Sequence, residues 1–305
     1  MKKLLFVFNP NSGKGQIKNK LLEIIQIFSD AGFEVTVYPT KAPRDGYEYI
    51  LNNAAGYNCV VCSGGDGTLN ETVEAVLSLS GKKPPIGYIP SGTTNDFAVS
   101  LKIPKDMLQA ARNITVGRRR KCDIGMLNGK TFNYVAAFGA FTKVSYETPQ
   151  ALKNVLGHPA YLLEGMKSLT DLKPYHIKIH TNDTDIEGSF IYGMVSNTRS
   201  VGGFRGVVPG DVNLRDGLFE VALVRELKNP LDFQQVIAAV LSQNYEKCSL
   251  IQSFKANEIY FESDEQISWT VDGEYGGTYD SVHIEVIHNA VEFIIRGKNE
   301  AQLKN

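Results

Sequence analysis

The chain has 305 residues, 43% hydrophobic and 21% charged, with a formal net charge of −1. That length exceeds one ordinary hydrophobic core, so two domains are expected, and the composition excludes a disordered, repetitive or low-complexity chain. The near-neutral balance leaves no global field toward nucleic acid, so no nucleic-acid partner is expected; any attraction to an anionic surface has to be local.

The opening MKKLLFVF imitates a signal peptide, yet Leu4 to Phe8 is shorter than a signal core and runs straight into NPNSGKG. It reads as a buried strand, followed by a glycine-rich turn and an amphipathic helix from about Gln16 to Ala31. Ile17, Leu21, Ile24, Ile25 and Phe28 recur at helical spacing, and Gly32 suits the C-terminal cap. Next come a strand over 34–39, a helix over 44–55 and the strand CVVCS over 59–63. A helix from about Leu69 to Leu79 and the strand IGYIP over 86–90 follow, leading into SGTTND. This alternation predicts a doubly wound α/β domain with a mostly parallel sheet, whose ligands bind beyond the carboxyl ends of the strands. Three strands end in glycine-rich polar loops, at 9–15, 63–68 and 91–96.

After about residue 121 strand-like runs dominate: FNYVAAFGAF, YHIKIHT, GSFIYGMVSN, GLFEVALV, ISWTVDGE, SVHIEVIHN and VEFIIRG. Helices over about 148–172 and 230–243 interrupt them. Short links predict an antiparallel β-rich second domain, dividing the chain into 1–122 and 123–305 with the last residues returning to the first domain. No other apolar stretch approaches bilayer-spanning length, and a cytoplasmic protein with reduced thiols is expected. Cys59 and Cys62 sit three apart on a strand and face opposite ways, while Cys122 and Cys248 are isolated.

The loops carry the chemistry. In NPNSGKG, exposed N–H groups before a helix suit an anion, and glycine lets phosphate approach. The spacing is neither a Walker A loop nor G-x-G-x-x-G, and a plain strand-to-helix turn explains it equally well. In GGDGTLNE (64–71), Gly64, Gly65 and Gly67 surround Asp66, which can orient hydrated Mg²⁺ or a ribose. Thr68 suits the cap of the next helix, with Asn70 and Glu71 in its first turn. A tight turn with an acidic cap is the plainer alternative, but three glycines around one acid favour phosphate. In SGTTNDFA (91–98), Thr93, Thr94 and Asn95 are candidate phosphate or ribose donors, and Asp96 can act through metal or substrate. An N-cap would explain one of the five residues from Gly92 to Asp96 and leave the others. In WTVDGEYGG (269–277), Asp272 and Glu274 flank Gly273; spacing alone favours a hairpin turn over a general base. Asp216 in NLRDGLFEV is likewise a turn residue first and a hard-cation ligand second. RRRK (118–121) reads as a solvated strand edge rather than an anionic-membrane contact. His158 and His176 have no spaced partners and receive no metal or catalytic role.

Taken in this order, NPNSGKG, GGDGTLNE, SGTTNDFA and VDGE resemble the bacterial diacylglycerol kinase-like lipid kinases, a family similar to sphingosine and ceramide kinases. GGDGT alone is shared with NAD kinases and phosphofructokinases; SGTTNDFA and NPNSG select the lipid branch. The resemblance spans Phe8 to Glu274. It implies an α/β nucleotide-binding domain and a β-sandwich-like domain with the active site between them. It further implies transfer of the γ-phosphate of ATP to a lipid hydroxyl, foremost that of diacylglycerol, during visits to a membrane surface. By resemblance, ATP is held by Asn9, Pro10, Asn11, Ser12, Gly13, Thr40, Gly65, Asp66, Gly67, Thr68, Leu69, Asn70, Glu71 and Thr94. Asp66 organises catalytic Mg²⁺ and Glu274 is the general base. A second Mg²⁺ takes the Asp216 carboxylate and the carbonyls of Asn213 and Leu218, with Asp123 linked to it through water and Asp96 in the supporting network. Arg215 stands where the family often has a second acid, which weakens that second site. Exposed strand edges permit a homodimer. The rival readings are an NAD kinase-like enzyme with a soluble substrate and an inactive nucleotide- or lipid-binding regulator. The 148–172 helices can shape a lipid pocket or simply form core, so the acceptor lipid is not legible.

Overall fold

The computed structural model describes residues 1–139, 173–198, 200–201, 204–205 and 212–297. The chain separates into two compact units. One comprises Met1–Ile124, Leu214–Asp216 and Ile287–Asn305; the other comprises Gly125–Asn213 and Gly217–Val286.

In the first unit, β1 (Lys2–Phe8), β2 (Phe33–Pro39), β3 (Cys59–Gly64) and β4 (Ile86–Pro90) form a parallel sheet in the order β2-β1-β3-β4. The helices are α1 (Ile17–Asp30), α2 (Asp45–Asn53), α3 (Asp66–Ser78), α4 (Asp96–Ser100) and α5 (Met107–Val116). Leu4, Phe6 and Phe8 of β1 share a core with Ile17, Ile24 and Phe28 of α1 and with Met107, Ala110 and Ile114 of α5. Val7 points the other way, toward Gly46 of α2, and α2 packs on α3. Burial on both faces is why these strands are apolar runs rather than alternating ones. From β1 the chain steps outward to β2 and then returns across β1 to β3. The strand order therefore reverses between β1 and β3, the place where a crevice opens at the carboxyl ends.

Two sequence expectations need correction here. Helix α3 begins at Asp66, not near Leu69, and Gly65 is its N-cap, with Leu69 N donating to Gly65 O at 3.1 Å. Thr68 lies inside the helix with its side chain packed on Gly64, where any Cβ would come within 2.3 Å of it. Helices α4 and α5 were not anticipated. The second had a local signature: Asp106 caps it by accepting from Gln109 N at 2.7 Å, and an acid three residues before Gln marks a helix start.

The remaining strands in chain order are β5 (Arg118–Leu127), β6 (Lys130–Phe132), β7 (Val135–Gly139), β8 (Tyr175–Thr181), β9 (Asp185–Ser196), β10 (Ser200–Val201), β11 (Phe204–Arg205) and β12 (Phe219–Arg225). After α6 (Pro230–Ser242) come β13 (Ile251–Ala256), β14 (Glu258–Val271) and β15 (Glu274–Ile295). Within the second unit the pairing is antiparallel: β12 lies between β9 and β13, β14 pairs with β15, and β7 and β8 each pair with both β9 and β14. Its core centres on Phe138, Phe261 and Trp269, whose ring centroids are 4.9, 5.0 and 6.1 Å apart. SVHIEVIHN and VEFIIRG prove to be one strand, β15. The strand runs through the polar His288–Asn289 step, where Asn289 is left-handed (φ 51°) and donates its N–H to Asp123 Oδ1 at 2.7 Å. Phe293, further along β15, pairs in parallel with Ile86 of β4. The helix expected over 148–172 lies outside the described residues. Among those described, no helix is long and apolar enough to cross a membrane. Cys59, Cys62, Cys122 and Cys248 are free and buried.

Candidate active site

The three glycine-rich loops meet at the carboxyl ends of β1, β3 and β4. Just past β1, Asn9 N donates to Ser63 O at 2.9 Å, and past β2, Thr40 N donates to Phe8 O at 2.9 Å. The first loop curls on itself: Asn9 accepts from Asn11 N through Oδ1 at 2.9 Å and from Ser12 N through its carbonyl at 3.3 Å. Gly13 (φ 57°) and Gly15 (φ 66°) complete the turn in left-handed conformations open to glycine. A Cβ on Gly13 would stand 2.3 Å from the Ser91 carbonyl oxygen, and one on Gly92 would stand 2.5 Å from the Gly65 α-carbon. The loops thus touch backbone to backbone. Gly64 O ties the second to the third by accepting from Ser91 N at 2.9 Å and Gly92 N at 3.2 Å.

Asp66 heads α3, where the helix dipole favours negative charge, and Asp96 heads α4 and is buried. Among the described residues no group of three or more His, Cys, Asp or Glu gathers in a metal-binding cluster. One carboxylate beside phosphate oxygens and water is nevertheless the donor set Mg²⁺ ordinarily takes, so Asp66 in its glycine surround fits that ion. Thr40 and Glu71 both flank Gly46: a Cβ there would stand 3.3 Å from Thr40 Cγ2 and 3.3 Å from Glu71 Oε2. Glu71 Oε1 accepts from Arg44 N at 2.8 Å, while the Arg44 guanidinium pairs with Glu74. Asp45 beside them accepts from Tyr38 OH and from Lys41 N, each at 2.7 Å, and these bonds hold its carboxyl below the usual range. Thr94 is exposed in the third loop. Leu69 is fully buried and its N–H is committed to Gly65, so its side chain belongs to the core rather than to a nucleotide site.

One residue escaped the sequence reading. Tyr88 is buried in β4, and its hydroxyl lies 3.2 Å from Gly64 O and 3.1 Å from Asn95 Oδ1. The available signal was a tyrosine in an otherwise aliphatic strand, because a buried phenol needs a partner. Asn95, a candidate ligand donor by sequence, bonds within its own loop as well as to Tyr88. Its Oδ1 accepts from Gly92 N at 3.0 Å and its Nδ2 donates to Gly92 O at 2.7 Å.

In the second unit, Glu274 is exposed at the start of β15, after the two-residue turn Asp272–Gly273 (φ 50° and 83°). Both positive φ values are those a tight hairpin requires. The Asp272 carboxylate is an anchor, accepting from the backbone N–H groups of Asn133 (2.7 Å), Tyr134 (3.0 Å) and Val135 (3.1 Å). Of the two acids in VDGE, Glu274 is therefore the one exposed for chemistry. Asp123 is fully buried; its Oδ1 accepts from Asn289 N and lies 3.0 Å from His288 Nδ1. Asp216 is exposed and belongs to the first unit, whereas Asn213 and Leu218 belong to the second.

Comparison with known proteins agrees with this layout. Residues 3–127 match the family model "Diacylglycerol kinase catalytic domain", and residues 136–295 match "YegS C-terminal NAD kinase beta sandwich-like domain". A diacylglycerol kinase of Bacillus subtilis (strain 168) is 35% identical over 279 residues, covering 91% of each chain. One from Staphylococcus carnosus (strain TM300) is 35% identical over 277 residues, covering 90% of each. A crystal structure from Bacillus anthracis str. Sterne superposes with a TM-score of 0.84 at 25% identity, covering 97% of this chain and 95% of the other.

Proposed function

This chain belongs to the diacylglycerol kinase family, and on that premise we propose that it transfers the γ-phosphate of ATP to a lipid hydroxyl, foremost that of diacylglycerol, to give phosphatidic acid. The observation that supports the reading most is the meeting of loops 9–15, 63–68 and 91–96 at the switch point of the parallel sheet, with Asp66 at the head of α3. Loop amides and the α3 N-terminus favour phosphate there. Asp66 would hold Mg²⁺, which when bound neutralises charge on the transferring phosphoryl oxygens. Glu274 accepts the proton of the attacking hydroxyl as its oxygen bonds to the γ-phosphorus and the bond to the β-phosphate oxygen breaks. The lipid is met peripherally, at a membrane surface, by a cytoplasmic protein that can form a homodimer.

The test is incubation with radiolabelled ATP and mixed micelles of diacylglycerol, a sphingoid base or phosphatidylglycerol, with NAD as a parallel acceptor. Label in phosphatidic acid is expected. Label in NADP alone would replace this reading with the soluble-substrate one, and ATP binding without any labelled product would leave a regulator.

A further inference from the structure

Resting on the reading that the three loops hold a nucleotide, we infer that Tyr88 is a positioning residue whose hydroxyl sets the spacing of the second and third loops and thereby the affinity for ATP. The phenol is 1% exposed and acts through the loops above it rather than on a ligand. Its single proton is shared between Gly64 O and Asn95 Oδ1, at 3.2 and 3.1 Å. Each acceptor is itself a junction. Gly64 O also receives Ser91 N and Gly92 N, and the Asn95 amide closes on Gly92 from both ends. Asn95 sits in a left-handed conformation (φ 57°), so its side chain turns back over the loop and presents Oδ1 to the hydroxyl. Burial, with Asp66, Cys62 and Asp96 adding to it, pushes the phenol well above the ordinary tyrosine value. The donor proton is therefore retained at any working pH.

Tyr88→Phe keeps the buried ring and removes only the shared proton. Gly64 O and Asn95 Oδ1 would each retain a backbone donor, so the fold has no new orphan to accommodate. The full-length chain is titrated with a non-hydrolysable ATP analogue by calorimetry, and KM is measured for ATP and for lipid. Tyr88→Phe is expected to raise both Kd and the KM for ATP about three- to tenfold, with the lipid KM unchanged. Asn95→Ala breaks the same bond from its other side and is expected to weaken ATP in the same direction. In that background the further loss from Tyr88→Phe should shrink. Wild-type ATP affinity in Tyr88→Phe, whatever its melting temperature, would overturn the inference, as would an equal loss in both backgrounds. A parent protein that binds ATP but labels no lipid would end the lipid-kinase reading while the Kd comparison still decides the role of Tyr88. Full lipid turnover with unchanged Kd in the variant would do the reverse, and a parent that binds no adenine nucleotide would end both.

Discussion

Gly13 and Gly15 share one loop and nearly one conformation, which makes them a matched pair for testing whether loop-to-loop contact builds the site. Both have positive φ, 57° and 66°, so an alanine at either costs roughly 1–2 kcal/mol in left-handed strain. Their surroundings differ. A Cβ on Gly15 would meet only Pro10 O at 3.5 Å, an ordinary contact, whereas one on Gly13 would stand 2.3 Å from Ser91 O. The Ser91 oxygen is held in place, because the Ser91 and Gly92 N–H groups on either side of it both donate to Gly64 O. Overpacking of this kind adds about 1–3 kcal/mol, so Gly13→Ala should cost roughly 2–5 kcal/mol against about 1–2 for Gly15→Ala. If the chain escapes the clash by spreading the loops instead of losing stability, the excess of about 1–3 kcal/mol appears as an ATP Kd weaker by about 5- to 160-fold. Denaturant titration read with calorimetric ATP binding measures both channels. Equal behaviour of the two variants in both would refute the idea that these loops are held by contact with one another.

Four other outcomes are expected. Glu274→Gln should lower kcat by about 10²–10⁴-fold with ATP affinity retained; near-parental turnover in a kinase assay would remove Glu274 as the base. Gly65→Ala should leave stability within about 1 kcal/mol in denaturant titration, since its Cβ would meet nothing closer than 3.5 Å, yet weaken ATP measurably; unchanged affinity would show that phosphate does not approach there. Asp272→Asn, facing three backbone donors with an amide, should cost about 2–4 kcal/mol by the same titration, and a cost near zero would contradict its anchoring role. Burial pushes the Cys59, Cys62 and Cys122 thiols from 9.0 up to about 12. Between those values the unfolded chain has released protons that the native chain retains, so each thiol lowers stability by about 1.4 kcal/mol per pH unit as pH rises. Midpoints that do not fall between pH 8 and pH 10.5 would contradict that burial.

What could be read from the sequence was local. Strand ends followed by NPNSGKG, GGDGT and SGTTND announce themselves because glycine, asparagine and aspartate mark turns within a few residues of where they act. The D-G hairpin at Asp272–Gly273 is of the same kind, and its two positive φ values agree with it. What escaped was partnership at a distance. Asp272 accepts from N–H groups 137 to 139 positions earlier in the chain, and Asn289, left-handed within β15, donates its N–H to Asp123, 166 positions away. The start of α3 was misplaced for a subtler reason. Thr68 has the chemistry of a cap, but Gly65 takes the N-cap position and the Thr68 side chain packs on the bare Gly64 α-carbon from inside the helix. Helix α5 is the exception, since its Asp106 cap is legible in the sequence itself.

Glycine-rich loops invite a phosphate reading, and here the structure separates the glycines that packing already explains from those it does not. Gly13 and Gly92 are needed where two backbones touch, and Gly64 is needed where Thr68 packs upon it. These three would be required in a protein that bound nothing. Gly65 is different: its φ is −86° and its surroundings would admit a Cβ, so neither conformation nor contact demands glycine at that N-cap. Asp66 beside it heads the helix, and Thr93 and Thr94 stand exposed on the neighbouring loop. Phosphate chemistry is therefore carried by these four positions rather than by glycine content. They supply what phosphate transfer needs, an open approach to backbone amides, one carboxylate for a hydrated cation and hydroxyl donors. The packed glycines hold the three loops in backbone contact, and joint action of those groups on one ligand is the proposal that this contact supports.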